Sequence, residues 1–266
     1  MSSPGLKAVI FDIGGVVVRS PFVAIADYER KRGLPENYLN IAIVARGHSG
    51  AWQKFERGEL PLLSFYGAFS SDLSDTVNNN TWYTDYCRKR GVDCPPLPRK
   101  VEIDGRELFG AMMRLAGEYD PHILKAIQRI RAAGKHKILA LTNNYANVSP
   151  EGEIPKAELD FLGWGEEGAV PTQLRALFDD FCDSSALGMR KPEPEFYLLA
   201  CKRNDIKPSE AVFLDDIRMN LKAAKELGMD TIHVPIGGSL DAVRELERKI
   251  GIDLTGESED KRVSKL

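Results

Sequence analysis

Leu6-Lys-Ala-Val-Ile-Phe-Asp-Ile-Gly-Gly-Val-Val17 is a run of large apolar residues broken by one carboxylate and a pair of glycines. Residues 6–11 read as a buried strand, stopped by Asp12 and Gly14-Gly15. A strand ending this way sets a carboxylate at the mouth of a sheet with backbone amides bared around it. Taken singly, Asp before Gly-Gly is also ordinary turn chemistry, so the reading depends on what the rest of the chain repeats.

Four further apolar runs repeat it. Residues 137–141 end in Thr142-Asn143-Asn144, 211–214 end in Asp215-Asp216, 231–234 close on Pro235, and 178–182 is a weaker run. Between them lie helical patterns at 121–133, 192–203, 218–227 and 239–250, with proline or serine at the start of three and Gly134, Gly228 and Gly251 at three of the ends. Strands alternating with helices predict an α/β fold, a Rossmann-like parallel sheet covered on both faces. In such sheets ligands sit beyond the carboxyl ends of the strands, where three of the five runs place polar residues.

Residues 19–118 break the alternation. Segments 21–32, 35–46, 51–57, 62–73, 82–90 and 106–116 all read as helices, predicting an all-helical insertion that follows the first strand as a cap. The expected organisation is therefore a core from 1–18 and 119–255, a helical cap over 19–118, and a flexible tail over 256–266. The long connection 145–172 reads as a lid or a surface insertion. Aromatic residues Trp52, Phe55, Phe65, Tyr66, Phe69 and Trp82 suit either the cap's own core or an apolar substrate pocket, with the core the stronger expectation. His48, in a cap connection, is weighed as a proton donor and set aside as an exposed loop residue.

Composition narrows the function. With 266 residues, 43% hydrophobic, 28% charged and a net charge of −3, the chain is ordinary globular protein, and no basic run points to nucleic acid. Four cysteines without metal spacing read as reduced thiols. No secretory leader and no membrane-length apolar window are evident, which predicts a soluble intracellular protein. The final Ser264-Lys265-Leu266 matches a peroxisomal address. The expected partner there is the peroxisomal import receptor, with a cytoplasmic location as the alternative.

The chemistry lies in an ordered set: Asp12, Thr142, Lys191, Asp215-Asp216. Adjacent carboxylates at a strand end repel unless a cation compensates, and oxygen-rich clusters suit Mg²⁺. Four segments carry this set: 8–17, Leu139-Ala-Leu-Thr-Asn-Asn144, Gly188-Met-Arg-Lys-Pro-Glu-Pro-Glu-Phe-Tyr197 and Val212-Phe-Leu-Asp-Asp-Ile-Arg-Met-Asn-Leu-Lys222. In order and spacing they resemble the four motifs of the haloacid dehalogenase superfamily. The similarity is greatest to the phosphatase-type domain of soluble epoxide hydrolases and to domains fused to acyl-CoA dehydrogenases.

That resemblance implies a Mg²⁺-dependent phosphatase acting on a small phosphorylated metabolite. Asp12 would be the nucleophile, and Asp12, the Gly14 carbonyl and Asp216 the metal ligands, with Asp215 close by. Thr142 and Asn143 would hold phosphoryl oxygens, and Lys191 would pair with Asp12 and the phosphate. Family phosphatases carry a second aspartate two positions after the nucleophile, as acid and base; here that position is Gly14. The gap leaves two alternatives open: a weakly active or non-catalytic phosphometabolite-binding protein, and a metal-independent dehalogenase-like hydrolase.

Overall fold

Alternating apolar runs and amphipathic helices assemble as the periodicities require. A computed structural model describes residues 5–115, 117–145, 148–149, 152–165 and 168–256; Ser264, Lys265 and Leu266, read as a peroxisomal address, lie outside them. In chain order the elements are β1 (Ala8–Phe11), helices α1 (Phe22–Arg32), α2 (Tyr38–Ala45), α3 (Ala51–Glu56), α4 (Leu62–Ser74), α5 (Thr76–Arg90), α6 (Gly105–Leu115) and α7 (Pro121–Ala133), then β2 (Lys137–Thr142). Next come the short strands β3 (Val148–Ser149) and β4 (Gly152–Glu153), α8 (Lys156–Leu162), α9 (Thr172–Arg175), β5 (Asp180–Asp183), α10 (Ser184–Leu187) and α11 (Pro194–Arg203). The chain finishes with β6 (Ala211–Asp215), α12 (Arg218–Glu226), β7 (Asp230–His233) and α13 (Ser239–Ile250).

The first unit comprises Met1–Ser20, Gly117–Asn143 and Val170–Leu266. Its sheet runs β5-β2-β1-β6-β7 with every pairing parallel. Strand β1 is central, and its four residues are fully buried, as a strand covered on both faces must be. Ala8 and Ile10 point to one face, where they join Leu139, Leu141, Phe213 and the apolar sides of α11 and α12. Val9 and Phe11, one residue out of phase, serve the other face. Because β2 lies on one side of β1 and β6 on the other, the strand order reverses at the end of β1, the point where such sheets open a crevice.

Where the chain first leaves this unit and first returns to it, the two segments pair. Val18 bridges Tyr119, Arg19 N–H donates to Glu118 O and Asp120 N–H to Val17 O, both at 2.9 Å. Asp120 then caps α7, its carboxylate accepting from the His122 and Ile123 amides at 2.9 and 3.0 Å.

The second unit comprises Pro21–Ala116 and Asn144–Ala169. Its core is aromatic. Phe55 stacks on Phe65 with ring centroids 4.1 Å apart and on Tyr145 at 5.0 Å, and Trp52 meets Phe65, Phe69, Phe109 and Tyr145. Phe55, Phe65, Tyr66 and Phe69 are thus core residues, while half-buried Trp82 lies under the Arg46 guanidinium.

Two expectations are corrected here. The stretch 144–169, assigned from sequence to the α/β core, packs with the helices. Glu158 accepts from Tyr66 Oη at 2.6 Å and from Arg106, and Arg114 donates to Phe161 O. Helix α5 starts at Thr76 rather than at 82, because Asp75 accepts from the Asn78 amide and Asn79 donates to Leu73 O. Those tertiary bonds offset the low helix propensity of Asn78, Asn79 and Asn80.

Candidate active site

All five strands of the first unit run toward one edge, and each delivers a polar side chain there or just beyond: Asp12, Thr142, Asp183, Asp215 and His233. Asp12 follows β1 directly, its N–H donating to Leu214 O at 2.9 Å, so the sheet ladder continues into the reactive position. The next amide, Ile13 N–H, donates to Asp12 Oδ1 at 2.6 Å. Gly15 takes φ +85°, and a Cβ there would stand 2.1 Å from Asp216 Oδ2. Position 15 therefore requires glycine both for its backbone and for the approach of Asp216.

Lys191 organises the carboxylates. Its Nζ lies 2.8 Å from Asp12 Oδ1 and 2.8 Å from Asp215 Oδ2, and its side chain is 1% exposed. The backbone of Lys191 is held by Asn143, whose Oδ1 accepts from Lys191 N at 2.7 Å and whose Nδ2 donates to Lys191 O at 3.0 Å. The Asn143 side chain is thus a clamp on the lysine, and this two-bond fit between distant segments has no sequence signature. Thr142, buried at the end of β2, donates Oγ1 to Asn143 O at 3.3 Å.

The two adjacent aspartates differ. Asp215 is fully buried and saturated by the protein: Lys191 Nζ on one oxygen, Ile217 N–H at 2.7 Å on the other, and Asn220 Nδ2 on both at 3.2 and 3.1 Å. Asn220 is itself fixed by Tyr197, whose Oη donates to Asn220 O at 3.0 Å. Asp216 accepts from Ser20 Oγ at 3.3 Å on Oδ2, and its buried Oδ1 has no partner among the described residues. His233 Nε2 meets the Asp216 carbonyl at 3.1 Å; a carbonyl only accepts, so this nitrogen carries the proton. Neither Asn220, Ser20 nor His233 was singled out in the sequence. The only signal was Asn220, a polar residue on the otherwise apolar face of α12.

Charge follows from this geometry. Asp12, Asp215 and Asp216 bring carboxylate oxygens within 4.8 Å of one another. Each like-charge pair at that distance costs on the order of 3 kcal/mol at an effective dielectric near 20. Burial pushes Asp12 well above the usual carboxylate range; Lys191 pulls it back, and Asp215 and Asp216 push it up again. Burial, then Asp215, raises Asp216 to about 7. For Lys191 burial acts downward, but the Asp12 and Asp215 carboxylates outweigh it and hold the ammonium above its ordinary value. Three carboxylates against one ammonium leave two uncompensated negative charges when all are ionised, a set that fits a divalent cation bound by oxygen. The unpartnered Asp216 Oδ1 is the atom such an ion would satisfy.

Gly14 pairs with Val18 in the loop after β1 and adds no side chain. His48 belongs to the second unit and is exposed, its carbonyl accepting from Arg57 at 2.8 Å. No described helix is long and apolar enough to cross a membrane.

Comparison with known proteins gives a concordant picture. A family model described as haloacid dehalogenase-like hydrolase matches residues 6–228. Acyl-CoA dehydrogenase family member 10 of Mus musculus is 31% identical over 248 residues, covering 93% of this chain and 19% of that protein. Bifunctional epoxide hydrolase 2 of Sus scrofa is 28% identical over 251 residues, covering 94% of this chain and 40% of that one. The chain thus spans less than half the length of either. D-ribitol-5-phosphate phosphatase of Bacteroides thetaiotaomicron is 40% identical over 230 residues, covering 85% of this chain and 90% of that protein. Among solved structures, a magnesium complex of a HAD-family enzyme from Bacteroides thetaiotaomicron shares the fold, with a TM-score of 0.52 at 18% identity over 88% of this chain and 95% of that one.

Proposed function

The chain belongs to the haloacid dehalogenase-like hydrolase family, and we propose that it is a Mg²⁺-dependent phosphatase acting on a small phosphate ester. The observation that carries this reading is the division of labour among the carboxylates. Lys191 bridges Asp12 and Asp215, while Asp216 keeps a buried oxygen without a partner. Similarity to a sugar-alcohol phosphate phosphatase supports a small phosphorylated substrate.

A carboxylate oxygen of Asp12 attacks phosphorus as the bond from phosphorus to the leaving oxygen breaks, giving an aspartyl-phosphate and an alcohol whose proton comes from solvent. Water then attacks the same phosphorus, the bond from phosphorus to Asp12 breaks, and the water's proton returns to solvent as inorganic phosphate leaves and Asp12 is restored. Lys191 orients the nucleophile and offsets charge that would repel an anionic substrate. The Thr142 hydroxyl and the Asn143 backbone N–H hold phosphoryl oxygens, while the Asn143 side chain keeps Lys191 in place. Asp12, the Gly14 carbonyl and Asp216 would hold Mg²⁺, with Asp215 behind them as the anchor of Lys191. Bound there, the ion neutralises negative charge and polarises a phosphoryl oxygen. A metal-independent dehalogenase has no evident use for Asp216, so that reading has less support.

The test is p-nitrophenyl phosphate hydrolysis with Mg²⁺, with EDTA, and by the Asp12→Asn variant. Turnover is expected only with both Mg²⁺ and Asp12, and the variant is expected to keep the parent's circular dichroism. Substantial residual activity in Asp12→Asn would remove Asp12 as the nucleophile.

A further inference from the structure

Away from the carboxylates, the second unit turns two cysteines back onto each other. Helix α5 ends at Gly91, whose φ of 66° closes the helix, and Val92 N–H then donates to Cys87 O at 3.1 Å. This reversal is a Schellman-type ending. It sends residues 92–104 back along α5 and α4 without regular secondary structure. Hydroxyl and amide side chains pin that strap. Ser70 Oγ accepts from Gly105 N at 2.8 Å, Ser74 Oγ from Ile103 N at 2.9 Å and Thr76 Oγ1 from Val101 N at 3.1 Å, while Asn80 Nδ2 donates to Pro98 O at 3.0 Å.

At the start of the strap, Cys94 Sγ lies 4.0 Å from Thr84 Oγ1. Thr84 and Cys87 are three residues apart and share a helix face, so the contact with Thr84 sets the Cys94 thiol beside that of Cys87, near enough to raise it. Cys87 is buried, Cys94 is exposed, and both are free.

We propose that Cys87 and Cys94 form an oxidisable dithiol, which a hydroperoxide converts to a disulfide that fastens the strap to α5. Cys94, the sulfur that solvent reaches, attacks the peroxide as thiolate, giving a sulfenic acid and expelling hydroxide or alkoxide. Cys87 sulfur then displaces the hydroxyl from Cys94 sulfur, and its proton leaves with that hydroxyl as water. Each sulfur loses one electron and the peroxide accepts both. Burial, then the neighbouring Cys94 thiol, holds the Cys87 thiol above its ordinary value, which favours its protonated form. Cys182 and Cys201 are buried thiols raised to about 12 and about 11 by burial, and they serve as internal controls.

The experiment treats the folded protein with hydrogen peroxide, alkylates remaining thiols in denaturant, and maps tryptic peptides without reductant. Peptides 58–88 and 91–99 are expected to be joined, and released by dithiothreitol, with titratable thiols falling from the four in the sequence to two. Cys94→Ser is expected to leave Cys87 as a thiol, and Cys87→Ser to leave Cys94 as a sulfenic acid that dimedone traps. Cys94 carried on to sulfinic acid while Cys87 stays free, or a disulfide that forms only between two chains, overturns the proposal.

Discussion

Gly14 stands where related phosphatases carry the aspartate that protonates the leaving oxygen. Its backbone is not in the left-handed region, unlike that of Gly15, so an L side chain fits the chain conformation there. Gly14→Asp is expected to raise turnover of an alkyl phosphate ester by about 10²-fold, the lower end of what a positioned acid–base contributes. Hydrolysis of p-nitrophenyl phosphate, whose leaving group needs little protonation, is expected to change far less, and steady-state kinetics on the two substrates separate these outcomes. Asp216 yields a second prediction. Its folded value is raised from 3.8 to about 7, so the folded protein holds this proton more tightly than the unfolded chain. The resulting stabilisation is complete below the unfolded value and is lost as pH rises through about 7 in metal-free protein. Mg²⁺ competes for the same oxygens, so its stabilising effect grows as pH rises from about 6 to about 8. At free Mg²⁺ a hundredfold above Kd it approaches about 2.7 kcal/mol. Thermal denaturation with EDTA or Mg²⁺ across that range checks both signs; a Mg²⁺ effect that shrinks with rising pH would count against Asp216 as ligand.

Among elements, α7 shows what one cap contributes. Asp120 satisfies two amides at its start, and Asp120→Ala is expected to cost about 1 kcal/mol, read from denaturant unfolding. This cap, the proline after it and the glycine at the far end are all local signals, which is why α7 and the other flanking helices were legible in sequence. The five strands were legible too, because buried parallel strands are nearly continuous apolar runs; two were displaced, 178–182 to Asp180–Asp183 and 231–234 to Asp230–His233. Order across the sheet was not, since an apolar run does not name its neighbour. The same limit applied to the site. Asp12, Thr142, Asp215 and Asp216 announce themselves as polar residues ending apolar strands, whereas Lys191 alone looks like a surface lysine. Its burial between two carboxylates, the Asn143 clamp and the Asn220 brace depend on contacts between residues far apart in the chain.

The whole molecule divides into two units with separate cores, and the chain passes between them four times, at 20–21, 116–117, 143–144 and 169–170. Sequence patterning found the first two crossings to within a few residues, because the strand–helix alternation stops and restarts there. It missed the other two: 144–169 is too short and too rich in glycine and proline for a periodicity to show where it packs. Beyond the described residues, Ser264, Lys265 and Leu266 are expected to direct a fluorescent reporter fused ahead of residues 256–266 to peroxisomes, and Leu266→Ala to disperse it, as seen by microscopy. A dispersed reporter in both cases would leave the cytoplasmic alternative.

All three tryptophans of the chain, Trp52, Trp82 and Trp164, belong to the helical unit. Trp52 is ringed by other aromatic groups and Trp82 lies against a guanidinium. The α/β unit has tyrosines but no indole. Selectively excited indole emission is therefore a private signal of one unit, while far-ultraviolet dichroism sums over both. Overlaying the two melting curves shows whether the units come apart together or in turn, with no label added to the chain.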